Sequence, residues 1–307
     1  MRRKETDMAQ ATFERVEKKY LLNEVQYRKL RRMLTPYITA DPYPEYTIIN
    51  IYFDTDNFQL IRTSLDKPMY KEKLRLRAYG VPKQDTEVFL ELKKKYDGIV
   101  YKRRVTLPLS EAERYLYEDD RKADVKSDLS QAEEADLSHT DDILDHGYKA
   151  IRETKNTSDS GRLPSGVNAQ IMAEIDYCKR FYDLKPKAYI AYDRKAFQGI
   201  EDPNLRITFD ENIRGRNERL HLGDGDDGDR VLPEGQILME VKLPGVMQLF
   251  LAKALSELQV TPVSFSKYGM YYQKTFLETT AREAEQKVLQ QQRDLSCEPD
   301  QAEKRYA

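Results

Sequence analysis

The sequence predicts an α+β fold in which an antiparallel β-sheet of about eight strands closes into a barrel, with helices packed outside. Short stretches throughout the chain alternate at period two, with apolar residues on one side and arginine, lysine or glutamate on the other. This alternation recurs in strand after strand, and six positions on the charged side are arginine. If the sheet closes with its charged side inward, the interior is a polar tunnel.

The first four predicted strands lie in the amino-terminal third of the chain. They occupy residues 13–20, 73–79, the FLELKK stretch at 89–94 and the VYKRRVTL stretch at 100–107. Their charged sides carry, in chain order, Arg15, Glu17, Lys19, Lys73, Arg75, Arg77, Glu91, Lys93, Lys102 and Arg104. Because alternate residues of a strand face the same way, each of these sets is expected to share one surface.

Three further strands are predicted in the second half of the chain. They are the stretches IAYDRKAF, LRITFD and ILMEVKL. Their polar sides carry Tyr192, Arg194, Arg206, Thr208, Asp210, Glu240 and Lys242. The same mixture of cations with a few carboxylates therefore continues around the predicted barrel.

Helices are predicted between and after these strands. An Asn-x-x-Gln cap opens a helix at residues 23–34, and a capping box at 110–113 opens a second. Residues 247–258 have the apolar spacing of a helix that packs outside the sheet. A last helix begins near Ser264 or Ser266, where Ser266 and Lys267 are candidates for holding an anion at its first turn. The aspartate-rich stretch at 222–229 lacks the glutamate that closes a calcium loop, so a polar hairpin turn is predicted.

Charge is distributed unevenly along a chain whose formal net charge is only −2. Residues 71–104 hold eleven Lys/Arg against five acids, whereas residues 110–165 hold fifteen acids against eight bases. A local basic field in a nearly neutral protein indicates a focused anion site and argues against nucleic acid as a partner. We expect a tunnel domain at residues 12–280 with an acidic, partly flexible insertion at about 119–165. Residues 1–11 are predicted to be disordered and 281–307 to form a charged tail.

Several classes of function lack their usual signals. Cys178 and Cys297 are too few for a disulfide framework, and the three histidines show no metal-like spacing. There is no glycine-rich nucleotide loop and no GxSxG nucleophile motif. The chain has no recognisable signal peptide and no apolar run long enough to cross a bilayer, so we expect a cytoplasmic protein.

A tunnel lined with cations is stable only if it is wet or filled by anions, because burying unpaired charge is costly. The occupant that best fits many arginines and lysines with a few carboxylates is a chain of phosphates carrying a divalent metal. For any single strand, an ordinary solvated sheet face is the simpler interpretation. The repetition and the choice of arginine favour the tunnel.

The chain resembles the VTC domain family, the polyphosphate polymerase branch of the triphosphate tunnel metalloenzymes, which are CYTH-like proteins. Matching segments occur in the family's order over about residues 12–275, outside the variable stretch near 120–165. They include FERVEKKYLL, NIYFDTDNF, KLRLRAYG, FLELKKKYDGIVYKRR, AEIDYCKRFYDLKPKAYIAYDRKAFQG, LRITFD, ILMEVKLPG and VSFSKYGMYY. Arg15 stands where the broader superfamily has the first glutamate of its signature, a substitution that favours the polymerase branch.

The resemblance implies an enzyme that transfers the terminal phosphate of ATP to phosphate or to a growing polyphosphate chain. The residues it implies for catalysis are Lys19, Arg75, Arg77, Arg194, Arg206 and Lys267. Those it implies for phosphate binding are Arg15, Lys93, Lys102, Arg104, Tyr192, Lys242 and Ser266. Mn²⁺ or Mg²⁺ is expected on Glu240, with Glu17 or Glu91 assisting directly or through water.

Two other functions stay open at this point. The same site with water admitted would be a tripolyphosphatase or nucleoside triphosphatase, and a site without turnover would be a polyphosphate-binding module. The sensor domain and membrane segments of eukaryotic relatives are absent, so the chain is expected to be a bacterial stand-alone form. Whether a separate membrane partner exists is left open by the sequence.

Overall fold

The computed structural model describes residues 16–117, 167–243 and 245–277, and over these ranges the protein is built on one antiparallel sheet of nine strands. The first five strands are β1 (Val16–Asn23), β2 (Ile38–Asp54), β3 (Tyr70–Tyr79), β4 (Glu87–Tyr96) and β5 (Ile99–Pro108). The other four are β6 (Lys185–Gly199), β7 (Arg206–Arg216), β8 (Asp229–Arg230) and β9 (Gln236–Leu243). Each predicted strand is therefore present, and most are longer than predicted.

Six α-helices lie in the described ranges. They are α1 (Glu24–Leu34), α2 (Gln59–Leu65), α3 (Leu109–Tyr117), α4 (Val167–Tyr182), α5 (Leu249–Glu257) and α6 (Lys267–Tyr272). A π-helical turn at Gln273–Leu277 continues α6. None of the helices in these ranges is both long and apolar enough to span a bilayer.

The sheet is antiparallel throughout but its ladder is open. The strand order is β1-β9-β7-β6-β2-β3-β4-β5, with the short β8 paired to β7. Among the described strands no ladder joins the two ends of this path, β1 and β5. The prediction of a closed barrel is therefore not confirmed, because barrel closure requires that last ladder.

The sheet is nonetheless strongly curved, and its charged face is concave. Lys19 Nζ of β1 and Lys73 Nζ of β3 donate to adjacent residues, the carbonyl of Phe265 and the hydroxyl of Ser266, at 3.0 and 3.1 Å. These two strands stand five places apart in the sheet order, so only a curved sheet brings them near one another. The twist of a long antiparallel sheet supplies this curvature.

The opposite, convex face is apolar and carries the helices. One buried cluster joins Ile51, Leu76 and Leu90 of the sheet to α3 and α4. A second joins Phe209 and Met239 to α1 and α5. Alternation in the strands therefore separates an apolar face covered by helices from a charged face, as predicted.

The predicted helix starts are confirmed for α1 and α6 and are wrong for α3. Asn23 caps α1 through the full capping box with Gln26. Ser266 caps α6 by accepting from the backbone N–H of Gly269. Helix α3 begins at Leu109, and the backbone N–H of Ser110 donates to the carbonyl of Gln84, so Ser110 lies inside the first turn. Burial of Leu109 in the core overrides the local capping signal.

Helix α6 lies against the concave face and fills one end of it. Tyr268 stacks on Tyr52 of β2, with ring centroids 4.8 Å apart. The ring of Tyr271 packs so closely on Gly215 of β7 that a Cβ there would lie 2.6 Å from it. This helix belongs to a third apolar cluster that includes Ile190 and Leu238 of the concave face.

The segment leading into α6, residues 262–266, crosses the concave face and is called the strap below. The backbone N–H of Val263 donates to the carbonyl of Lys19 on β1 at 2.8 Å. At its other end, Ser266 Oγ accepts from Lys73 Nζ on β3 at 3.1 Å. The strap therefore links the first strand of the sheet order to a strand near its far end.

The remaining predictions about organisation concern loops and termini. The 222–229 stretch does lead into β8, which pairs back on β7, so the hairpin prediction is confirmed. The acidic insertion, the amino-terminal residues and the carboxy-terminal tail lie outside the described ranges.

Candidate functional site

The concave face gathers most of the predicted site residues into two ion clusters. The first surrounds Glu91 and is called the Glu91 cluster; its members are Glu91, Arg75, Arg77, Lys102 and Arg104. The second surrounds Glu240 and is called the Glu240 cluster; its members are Glu240, Asp210, Lys19, Arg194 and Lys267. The strand register places all of these side chains on one face except Lys267, which α6 brings to the Glu240 cluster.

In the Glu91 cluster, four cations converge on one carboxylate. The register sets Glu91 of β4 opposite Arg75 of β3 on one side and opposite Arg104 of β5 on the other. Nε of each arginine lies 2.7 Å from a different oxygen of Glu91. Lys102 lies 2.7 Å from the same carboxylate and Arg77 3.9 Å. The cluster is therefore strongly positive overall.

The ionisation of this cluster follows from these contacts. Burial alone would raise the pKa of Glu91, but Arg75, Arg77 and Lys102 outweigh it and hold the pKa far below the usual range. Burial also raises the pKa of Tyr52, yet Arg75 and Arg77 bring it below the ordinary value for tyrosine. Arg75 donates to the Tyr52 hydroxyl at 3.3 Å, so the cations around Glu91 also stabilise the ionised form of Tyr52.

In the Glu240 cluster, two carboxylates face three cations. Arg194 of β6 binds Asp210 of β7 in a forked arrangement, at 2.6 and 2.8 Å, and reaches Glu240 at 3.1 Å. Lys267 at the start of α6 lies 2.6 Å from Asp210 and 3.0 Å from Glu240. Lys19 stands opposite Glu240 in the register, with Nζ 3.6 Å from the carboxylate.

Charge is more nearly balanced in the Glu240 cluster than in the Glu91 cluster. Burial would raise the pKa of Glu240, but Lys267, Lys19 and Arg194 hold it well below the usual range. Burial would lower the pKa of Lys267, and Asp210 and Glu240 more than offset this. Lys267 is therefore a buried cation that bridges α6 and the sheet, and its role in holding an anion stays a prediction.

Tyr192 lies beside Arg194 and Lys267 of the Glu240 cluster. Its ring is 5.3 Å from the guanidinium carbon of Arg194 and 4.3 Å from Nζ of Lys267. These are cation–π distances, so the ring supports both cations. Tyr192 is almost fully buried, which limits direct contact with a ligand.

Three of the predicted residues lie towards the rim or in supporting roles. Arg206 is exposed and pairs with Asp41, in the row next to that of Glu240. Lys242 stands opposite Arg206 and Glu17 in the register, one step beyond Glu240. Ser266 caps α6 and accepts from Lys73, so its hydroxyl is already bonded. Arg15 lies outside the described residues.

Two lysines on the concave face have no carboxylate partner within the part of the chain that the structure describes. Lys73 of β3 and Lys93 of β4 stand directly opposite each other, and among the described residues Lys73 Nζ bonds only to the Ser266 hydroxyl. Burial, together with the neighbouring Lys71 and Lys19, lowers the pKa of Lys73 to about 7. These lysines extend the positive surface of the Glu91 cluster.

A divalent metal fits this donor set only with phosphates present. Over the described ranges, no group of three or more His, Cys, Asp or Glu side chains is placed to hold one ion. Glu91 already receives five close donor contacts from Arg75, Arg104 and Lys102, which weighs against its predicted metal role. Glu240 has fewer, and Lys19 lies within 3.6 Å of both Glu17 and Glu240. Phosphate oxygens with one or two carboxylates are the usual Mg²⁺ ligands.

Several residues of the site were not predicted. Asp210 was placed on the charged face without a role, yet it anchors both Arg194 and Lys267. Asn50 accepts from Arg77 at 2.9 Å and was missed, although Asn50 and Tyr52 alternate with apolar residues in NIYFD. Asp54 and Tyr268, bonded at 3.0 Å, hold α6 to the start of α2, a contact with no local sequence signal.

Comparisons with known proteins find one family model and several solved structures that are similar to the chain. The model of the VTC domain family matches residues 14–276. No curated protein matches the chain. A solved structure of a candidate adenylate cyclase from Bacillus halodurans is similar at 15% identity and a TM-score of 0.41, covering 85% of this chain and 96% of that one. A candidate adenylyl cyclase from Hippeastrum, described as having a dominant triphosphatase activity, is similar at 13% identity and a TM-score of 0.41, with the same coverage.

Proposed function

The chain belongs to the VTC domain family, and on that premise we propose that it is a metal-dependent polyphosphate polymerase that uses ATP as phosphoryl donor. The concave face is the proposed reaction site. In this proposal the curved sheet serves as the polar tunnel predicted from the sequence, with the strap closing part of its open side.

One observation carries the proposal: the concave face holds more cations than carboxylates. Four cations surround the single carboxylate of Glu91, and Lys73 and Lys93 add two more without carboxylate partners in the described ranges. Such an excess is stabilised by a bound polyanion. Arginine and lysine arranged around phosphates supply the fixed charges that phosphoryl transfer requires.

The proposed reaction is a direct displacement. An anionic oxygen of the acceptor, either phosphate or the end of a polyphosphate chain, forms a new bond to the terminal phosphorus of ATP. The bond between that phosphorus and the bridging oxygen breaks, and ADP leaves with the electron pair. Because one P–O bond forms as the other breaks, the step needs no enzyme-bound intermediate, and because phosphorus keeps its oxidation state it needs no oxidant or reductant.

The residues divide this work between the two clusters. Glu91 holds Arg75 and Arg104, and Asn50 holds Arg77, so that these three guanidinium groups present fixed positive charge to phosphate oxygens. Lys19, Arg194 and Lys267 hold the Glu240 carboxylate and present positive charge towards the same space. Mn²⁺ or Mg²⁺ arriving with the nucleotide would be held by Glu240 with help from Glu17, and would neutralise charge on the transferred phosphate.

The experiment is incubation of the purified protein with ATP and Mn²⁺, followed by resolution of the phosphate products on a gel. We expect a ladder of polyphosphate. Glu240→Gln should abolish the ladder, because it removes the carboxylate offered to the metal. Glu211→Gln is the matched control, since Glu211 pairs with Lys195 away from both clusters.

Two results would contradict the proposal. Release of free phosphate without any ladder would make the protein a triphosphatase. No turnover with retained polyphosphate binding would make it a binding module.

A further inference from the structure

Three lysine–lysine pairs lie across neighbouring strands in two successive rows at one end of the concave face. Lys71 of β3 stands opposite Lys95 of β4, and Lys73 stands opposite Lys93. Lys93 in turn stands opposite Lys102 of β5. Like charges placed directly across a sheet are destabilising, so this arrangement weakens the free protein.

The pairs form a continuous line that leads away from the Glu91 cluster. In the register, the Arg75–Glu91–Arg104 row is followed by the Lys73–Lys93–Lys102 row and then by Lys71 and Lys95. Rows on one face of a sheet are spaced by two residues, about 6.6 Å. The line therefore continues the charged surface well past the carboxylate at Glu91.

The line ends in a pocket at the edge of the concave face. Lys67, Lys71 and Lys95 line this pocket together with Asp97 and Ser264 of the strap. No ion pair in the described ranges involves any of these three lysines, and Asp97 is not paired with them. Lys71 Nζ donates to the carbonyl of Ser64 at 3.2 Å, which holds it at the pocket. Burial and the charges of Lys95 and Lys67 lower the pKa of Lys71, so the three lysines lie close enough to repel one another.

We propose that Lys67, Lys71 and Lys95, called the mouth lysines, form a binding subsite for the distal phosphates of a long polyphosphate chain whose reacting end lies at the ion clusters. The inference rests on the proposed function only in taking the anion to be a phosphate chain. A triphosphate reaches the ion clusters alone, whereas a longer chain also occupies the lysine pairs. The mouth lysines therefore favour long chains over short ones.

A linear chain of phosphates fits this subsite better than a nucleic acid does. Its charges are closely and regularly spaced, as are the lysine rows, and it has no bases that need to be accommodated. Of the side chains that line the pocket, none is aromatic, so the stacking that holds single-stranded nucleic acids is not provided there.

The test compares binding of long-chain polyphosphate and tripolyphosphate, without ATP or metal. The variant is K67Q/K71Q/K95Q, and the matched control is K29Q/K83Q/K253Q, which removes three exposed lysines elsewhere. We expect the mouth variant to bind long-chain polyphosphate about tenfold more weakly, about 1.4 kcal/mol, and tripolyphosphate almost unchanged. Its affinity for the long chain should also depend less on salt, because fewer cations contact the chain.

The melting temperature of the same variant shows whether it folds. Removing Lys95 from its position opposite Lys71 relieves repulsion, so the ligand-free variant should melt at the same temperature as the wild type or higher. Unchanged binding of the long chain would make the mouth lysines ordinary solvated residues. Equal losses for both ligands would place them in the reaction site. Competition by a single-stranded oligonucleotide as strong as that of polyphosphate would overturn the identity of the ligand.

The subsite proposal and the polymerase proposal can be contradicted independently of each other. If ATP yields no polymer but long chains bind through the mouth lysines, the subsite stands and the polymerase proposal is wrong. If polymer forms and the mouth variant neither weakens long-chain binding nor shortens the product, the polymerase stands and the subsite is wrong.

Discussion

At the scale of single residues, the surroundings of Lys73 control its protonation state. It lies between the Glu91 cluster and the mouth lysines, opposite Lys93, and bonds only to the Ser266 hydroxyl in the described ranges. Burial and the neighbouring cations lower its pKa to about 7, far below the ordinary value for lysine. Its protonation therefore changes near neutral pH, where a bound phosphate chain would favour the charged form.

Binding of tripolyphosphate is predicted to weaken as the pH rises through about 7, because Lys73 then loses its charge in the free protein. Titration calorimetry across this range measures the effect. Lys73→Arg should remove this part of the pH dependence, because arginine stays charged. Protonation of the ligand itself is common to both proteins, so equal pH slopes would show that Lys73 does not titrate there.

The same pKa shift affects stability with a definite sign. Because the folded-state pKa of Lys73 is below the unfolded one, the unfolded chain binds more protons between about pH 7 and pH 10.5. The contribution of Lys73 to the free energy of unfolding should therefore become more favourable as the pH rises through this window. Comparison of thermal melts of the wild type and Lys73→Gln isolates that contribution.

At the level of elements, helix α6 connects the fold to the site. It carries Lys267 into the Glu240 cluster and is held by the Tyr268–Asp54 hydrogen bond and by the packing of Tyr271 on Gly215. Its position is set by contacts with β2, β6 and β7 rather than by its own six residues. A substitution that disrupts those contacts should displace α6 and, with it, Lys267 in the site.

Gly215→Ala is predicted to destabilise the protein by about 1–3 kcal/mol, the usual cost of overpacking a core. The added Cβ would lie 2.6 Å from the Tyr271 ring and 2.9 Å from Ile190 Cδ1. Thermal melting measures the loss, and tripolyphosphate binding should fall with it because α6 moves. Gly223→Ala is the matched control, since its Cβ would meet only the Pro82 carbonyl, at 3.8 Å. Equal melting temperatures for the two variants would show that α6 adjusts freely.

Elements differ in how far the sequence could predict them. Alternation in β3, β4, β5 and β9 identified both the strands and the residues that meet at Glu91 and Glu240, because the period of two fixes which side chains share a face. The start of α3 was wrong because core burial of Leu109 overrides a local cap. The ion pairing of Lys267 was missed because it depends on how α6 docks, which no local pattern encodes.

For the whole molecule, the main property is an uncompensated positive surface enclosed by a nearly neutral protein. The net charge is −2, yet the concave face carries more cations than carboxylates. The sequence predicted this asymmetry from the basic run at 71–104. It could not predict that, within the described residues, β1 and β5 form no ladder with each other, because closure of a sheet depends on its accumulated curvature.

Tripolyphosphate is predicted to raise the melting temperature, because it binds the folded concave face and relieves its repulsion. At a concentration a hundredfold above Kd the gain is about 2.7 kcal/mol. Differential scanning fluorimetry measures it, and added salt should reduce it by screening. Adenosine, which lacks phosphates, is the control and should give no shift. An equal shift with adenosine would mean that phosphate charge is not what is recognised.

The strand order also has a consequence for synthesis on the ribosome. Strands β3, β4 and β5 are neighbours in both sequence and sheet, so the Glu91 cluster needs only short-range contacts. The Glu240 cluster instead needs β1 to pair with β9, and then the arrival of α6. Because distant contacts form slowly and the amino terminus emerges first, β1 must wait until β9 has been made. One half of the site can mature as soon as β5 has emerged, whereas the other is completed only after α6 has emerged.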